Sequence, residues 1–217
     1  MRRYLLIAGL CLAASCASYA KEAEFDGPVR TTAPSQADAA RVMAYARDLR
    51  KEKGCEAAAP AYRVIAAMGE GFETAQHELG ECLLSMQGAR PEETALFRKE
   101  GLFWLERAAY AGNARAQRAL ALLYGAGDNA ARAPAEALKW ALVYQKNPDA
   151  DLYGYQSLPP TYVPGLRKDL GDAAIADAEA FAKGFSPIRL GVYSGPPRPK
   201  RTERSEGAMR ARPKDRP

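Results

Sequence analysis

From Phe103 to Tyr124 (FWLERAAYAGNARAQRALALLY) the apolar positions recur at helical spacing. Trp104, Leu105, Ala108 and Ala109 form one stripe, and Ala116, Leu120, Leu123 and Tyr124 form a second. Between them stands Ala111-Gly112-Asn113. Glycine takes the left-handed backbone that ends a helix, and asparagine caps the start of the next. Alanines at 108, 109, 116 and 119 let the two helices approach closely. The stretch therefore predicts a helical hairpin.

The pattern recurs along the chain. Shifted back by 41 residues, Gly112 falls on Gly71, Ala116-Gln117 on Ala75-Gln76, Leu120 on Leu79 and Ala108 on Ala67. Shifted forward by 36, Trp104 falls on Trp140 within AEALKWALVYQ. Helix pairs repeating at such periods are the signature of a helical solenoid. Around them, Ser35 and Asp38 predict the start of a capping helix whose inner face is Val42, Tyr45, Ala46 and Leu49. The first hairpin is predicted as 57–68 and 73–86, with Pro60 in its first turn, where its missing N–H costs nothing. Pro91 and Pro134 open later helices, and Gly101 inside the former predicts a kink. Residues 147–165 read as irregular, and 166–185 as one amphipathic helix carrying Leu170, Ile175, Ala178 and Phe181 on one side. The predicted class is all-α: a short solenoid of helix pairs capped by a helix at each end.

The residues also resemble a family. Trp104, Ala108, Ala109, Gly112, Asn113, Ala116, Gln117, Leu120, Ala121, Leu123, Tyr124 and Gly127 follow the pattern of the Sel-one-like repeat, the short bacterial relative of the tetratricopeptide (TPR) repeat. Leu105 stands where the family usually has an aromatic. In the copy around Gly71, Arg63 replaces the tryptophan and Leu83 the tyrosine. The resemblance spans about residues 57–146 and implies a scaffold that binds a protein or peptide, with no chemistry of its own. It makes Trp104, Trp140, Gly71 and Gly112 packing residues. It also implies that the first helix of each pair lines the binding groove, which nominates Arg63, Arg107, Tyr110 and Lys139. Exported members of the family have been connected with β-lactam binding, so hydrolysis is the enzymatic alternative.

The ends of the chain alter the picture. MRRYLLIAGLCLAASCASYAK has the charge, apolar run and small residues of an export signal. Cleavage after Ala20 yields a soluble exported protein; cleavage before Cys16 yields a lipid-anchored one. Residues 1–20 are thus expected to be removed, 21–34 to be a spacer, 35–184 the helical domain and 185–217 a disordered tail. In an exporting compartment Cys55 and Cys82 either bridge or remain two buried thiols. A bridge would close a loop of about 28 residues, worth about 3–4 kcal/mol.

The net charge of +5 belongs to the appendages. From Phe185 onward nine Lys and Arg face three Asp and Glu; without that tail and Arg2-Arg3 the body is at −3. Nucleic acid is not the expected partner of an exported chain; anionic lipid or cell-wall polymer is the alternative for the tail.

Signals for catalysis are absent. His77, the only histidine, lies between the two stripes of its helix and is expected at the surface. One histidine and two cysteines do not make the usual zinc site, and no cofactor is implied. Ser18-Tyr19-Ala20-Lys21 has penicillin-binding spacing but straddles the cleavage region. Tyr153, Tyr155 and Tyr162, in a stretch where helix packing does not demand them, are read either as partner contacts or as cover for the last groove; Tyr153 and Tyr155 join the contact candidates.

Overall fold

The computed structural model describes residues 36–126 and 132–195. The chain is all-helical: α1 (Gln36–Lys53), α2 (Cys55–Ala66), α3 (Glu73–Ser85), α4 (Pro91–Tyr110), α5 (Ala114–Gly125), α6 (Pro134–Gln145), α7 (Pro148–Leu152), α8 (Tyr162–Lys168) and α9 (Asp172–Gly184). No strand occurs among the described residues. Helices α1 to α6 each pack on the next in sequence, and α6 is then covered by α9 and α8.

Equivalent sequence positions do equivalent work in the two central pairs. Gly71 and Gly112 turn the chain at φ 87° and 94°. The side chain of Asn113 accepts from the Ala116 N–H at 2.9 Å, capping α5. The fully buried amides of Gln76 and Gln117 each donate to a carbonyl at the end of the preceding helix, Ala66 at 3.0 Å and Ala109 at 3.1 Å. A helix leaves its last carbonyls unsatisfied, so each glutamine ties the end of one helix to the body of the next. Trp104 and Trp140 are 3% and 2% exposed. Each lies in its own apolar cluster, Trp104 with Tyr62, Leu79 and Leu83, Trp140 with Leu105, Leu120 and Tyr144. Burying an indole is worth on the order of 5 kcal/mol in transfer free energy.

Cys55 and Cys82 form a disulfide that links the start of α2 to the end of α3. It closes the pair at the end opposite its glycine turn.

Several expectations are corrected. Pro60 is the sixth residue of α2, inside the helix, because α2 begins at Cys55, immediately after the Gly54 turn (φ 85°). Gly101 lies in an unbroken α4 and is there for closeness: a Cβ on it would come within 3.0 Å of the Gly80 carbonyl, and one on Gly80 within 2.9 Å of the Gly101 carbonyl. Residues 147–165 hold the short α7 and the start of α8, and the expected single final helix is interrupted at residues 169–171. The tail is corrected at its start: residues 185–195 pack back along the helices as an extended strap. The export signal, Cys16, the spacer and residues 196–217 lie outside the described residues.

Candidate functional site

The candidate contact residues fall on two faces of the helix stack. The first is built by the first helices of the pairs, α2, α4 and α6, where Arg63, Arg107, Tyr110 and Lys139 were expected to line a groove. These side chains are engaged within the chain. Arg63 makes a two-pronged ion pair with Glu100 at 2.7 and 2.8 Å, which holds that carboxyl below the usual range against the opposing effect of burial. Lys139 bonds Glu136 at 2.6 Å and sits over the Phe181 ring. Tyr110 packs edge-on to Trp140, with centroids 4.9 Å apart, and to Phe181.

Arg107 lies under the strap. From α9 the strap runs past the end of α4 to the turn after α2. The Ile188 N–H donates to the Tyr110 carbonyl at 3.0 Å, and the Tyr193 N–H to the Ala67 carbonyl at 2.7 Å. The Glu70 N–H donates to the Leu190 carbonyl at 3.0 Å. The first two acceptors are helix-end carbonyls of the kind that need a partner from outside the helix. Leu190 is buried, and the Tyr193 ring stands 5.1 Å from Trp104 and 5.0 Å from Phe103. The Arg107 guanidinium lies over that ring, 5.8 Å from its centroid, and donates to the Gly191 carbonyl. Gly69, at φ 93°, lets the strap pass: a Cβ there would come within 2.8 Å of the Leu190 and Gly191 carbonyls.

The second face is an open cleft of about 740 Å³ beside α3 and α5. Arg50, Arg115 and Arg118 edge it, and Leu84, Leu122 and Leu123 contribute apolar surface. Next to it lies an ionic knot. Glu78, 5% exposed, receives both Nε and Nη2 of Arg47 and the hydroxyl of fully buried Tyr62 at 2.9 Å. Burial favours the protonated Glu78 carboxyl, but these bonds and the charges of Arg47 and Arg115 outweigh it and hold it below its ordinary value. Burial and the same bond push the Tyr62 hydroxyl up to about 12.

His77 is buried, contrary to the expectation from its helix. It is 1% exposed, not at the surface, and its Nε2 lies 3.3 Å from Glu81. Helix α3 is enclosed by α2 and α4, so the strip between its two stripes is buried as well. Tyr155 and Gln156 edge the same cleft, and Tyr155 stacks on the exposed Tyr153 at 5.7 Å. The six candidate contacts thus divide between two faces.

Comparison of the chain with family models, curated proteins and solved structures gives no match.

Sequence reasoning missed the strap. Its signal was present in SPIRLGVYSG, whose Ile, Leu, Val and Tyr are more apolar than the Pro/Arg/Lys-rich residues that follow. Among the described residues no group of three or more His, Cys, Asp or Glu is placed to hold a metal ion, and no helix is long and apolar enough to cross a membrane.

Proposed function

We propose that this chain is a Sel-one-like, TPR-like helical scaffold that recognises an extended peptide segment of another protein on the face formed by α2, α4 and α6. One observation carries the reading: that face already holds an extended segment, the strap, by main-chain bonds to helix-end carbonyls and by one aromatic anchor. Main-chain bonding tolerates many sequences, while an aromatic seat selects among them. The repeated roles of Gly71 with Gly112 and Gln76 with Gln117 support the family resemblance.

Export belongs to the same reading. It rests on the signal-like N-terminus and is supported by the Cys55–Cys82 disulfide, a bond that persists in oxidising compartments. Whether the mature chain is soluble or tethered through Cys16 decides where it would act, and the mass of the processed N-terminus decides that.

The test uses a fluorescein-labelled synthetic peptide with the sequence of residues 185–195, titrated against the full chain carrying Tyr193→Ala. Saturable binding that is lost when Trp104 is also changed to Leu supports the reading. A folded Tyr193→Ala chain that does not bind the peptide contradicts it.

A second reading is favoured by the cleft edged by Arg50, Arg115 and Arg118. Cations clustered on a body of net negative charge suit an acidic partner, and charge reversal at Arg115 and Arg118 would abolish such binding at low salt.

A further inference from the structure

Arg107 is poorly served where it lies. Arg63, the other arginine among the groove candidates, has a two-pronged contact with Glu100. Arg107 is half-buried beneath the strap, and its partners are the Gly191 carbonyl and the Tyr193 ring. Its Nε is buried without a hydrogen-bond partner. Among the described residues no carboxylate lies within ion-pair distance of it. A guanidinium presents a planar fork suited to a carboxylate, and a neutral carbonyl uses only part of it.

The strap itself is lightly held. Ile188 and Val192 are 53% and 77% exposed, Ser186 and Pro187 are exposed too, and only Leu190 is buried. Segments with few buried contacts open at a fraction of the free energy of global unfolding. The position of Gly191 has room: a Cβ there meets nothing within 4 Å. Its carbonyl is already the atom that Arg107 grips. An acidic side chain at this register would therefore meet no steric bar on the very residue whose carbonyl Arg107 holds.

From these observations we infer that the strap is a replaceable occupant of the first-helix groove, and that the groove's proper ligand is an extended segment carrying an aromatic residue with a carboxylate two positions before it. The aromatic takes the Tyr193 seat against Trp104 and Arg107, and the carboxylate pairs with Arg107. The strap supplies the aromatic and lacks the acid, so it covers the face yet yields to a segment that carries both. This inference rests on the peptide-binding reading above, and adds the ligand's chemistry and its competition with the chain's own C-terminal segment.

Two experiments test it on the full chain. In the first, labelled peptides of sequence 185–195, with glycine or with glutamate at the position of Gly191, are titrated by anisotropy against the unmodified and Tyr193→Ala chains. The Tyr193→Ala chain is expected to bind both at least tenfold tighter than the unmodified chain does. The glutamate peptide is expected to bind five- to tenfold tighter than the glycine peptide, with the advantage lost in Arg107→Gln. Equal binding of the two peptides overturns the carboxylate assignment while leaving peptide recognition intact. Absence of binding by either peptide overturns peptide recognition itself. The second does not depend on a weakened strap. Gly191→Glu in the otherwise unmodified chain is expected to slow amide exchange at Tyr193 three- to tenfold at low salt, and to do so only with Arg107 present. Unchanged or faster exchange, or slowing that persists in Arg107→Gln, contradicts the proposal.

Discussion

The two faces of this helix stack are held by different physics. The first-helix face is aromatic and main-chain: Trp104, Phe103 and Tyr193 pack ring to ring, and helix-end carbonyls take N–H groups from the strap. The second-helix face is ionic: Arg47, Tyr62 and Arg115 converge on Glu78, and His77 and Arg50 on Glu81. A face finished by an extended segment can exchange that segment for another. A face finished by side chains rooted in its own helices keeps its shape and offers charge. On the reading proposed above, the first surface serves a peptide and the second an acidic partner.

The largest effect that separates the two is at Trp104. Trp104→Ala removes the ring on which Tyr193 rests and leaves a cavity between α4 and the core of the first pair, a loss of about 3–5 kcal/mol in urea unfolding. Removing the disulfide by changing both cysteines to alanine costs about 3 kcal/mol and acts on the opposite end of α2 and α3, so the strap stays in place. Hydrogen exchange at Tyr193 distinguishes the two variants.

Smaller and confined to the ionic face is Glu78→Gln. It weakens the charge-assisted bonds to Arg47 and Tyr62, and because Arg47 is half-exposed the cost is about 1–2 kcal/mol. The change also alters the pH response. Glu78, Glu81 and Glu100 all titrate below their ordinary range: Glu81 through the His77 bond, Glu100 through Arg63, and Glu78 through Arg47 and Tyr62 against the effect of burial. The unfolded chain therefore takes up protons first as pH falls, so stability is full above about pH 5 and declines below it. Glu78→Gln makes that decline shallower in denaturation curves run from pH 6 to pH 3, whereas Tyr193→Ala leaves its slope unchanged. Tyr193→Ala is the smallest of the set, about 1 kcal/mol in global stability, because it acts on a segment that opens locally.

Much of the helical framework was legible in the sequence for a definite reason. Gly71, Gly112 and Asn113 act through local backbone chemistry, and local chemistry is written in adjacent residues. The tryptophans were legible through spacing, since burial of an indole on one helix face repeats with the helix pair. The failures are non-local. Gly101 looks like a kink in the sequence because its contact, the Gly80 carbonyl, lies on another helix. The sequence around His77 points to the surface because two-sided enclosure of α3 depends on where α2 and α4 fall, not on periodicity within α3. The strap was lost because its partners, Tyr110, Ala67 and Trp104, are dozens of residues away, and its composition borders a basic stretch. The groove candidates were half-legible: Arg107 and Tyr110 do meet one surface, yet nothing near them in sequence announces that the chain's own end covers it.

Peptide recognition on the first-helix face depends on residues 186–193 lying along α4. Amide hydrogen exchange of the intact, oxidised chain at neutral pH measures this directly. The prediction is that the Ile188 and Tyr193 amides, bonded to the Tyr110 and Ala67 carbonyls, are protected at least tenfold over an unstructured peptide, yet exchange well before the interior of α4. Exchange of both at the unstructured rate would contradict it.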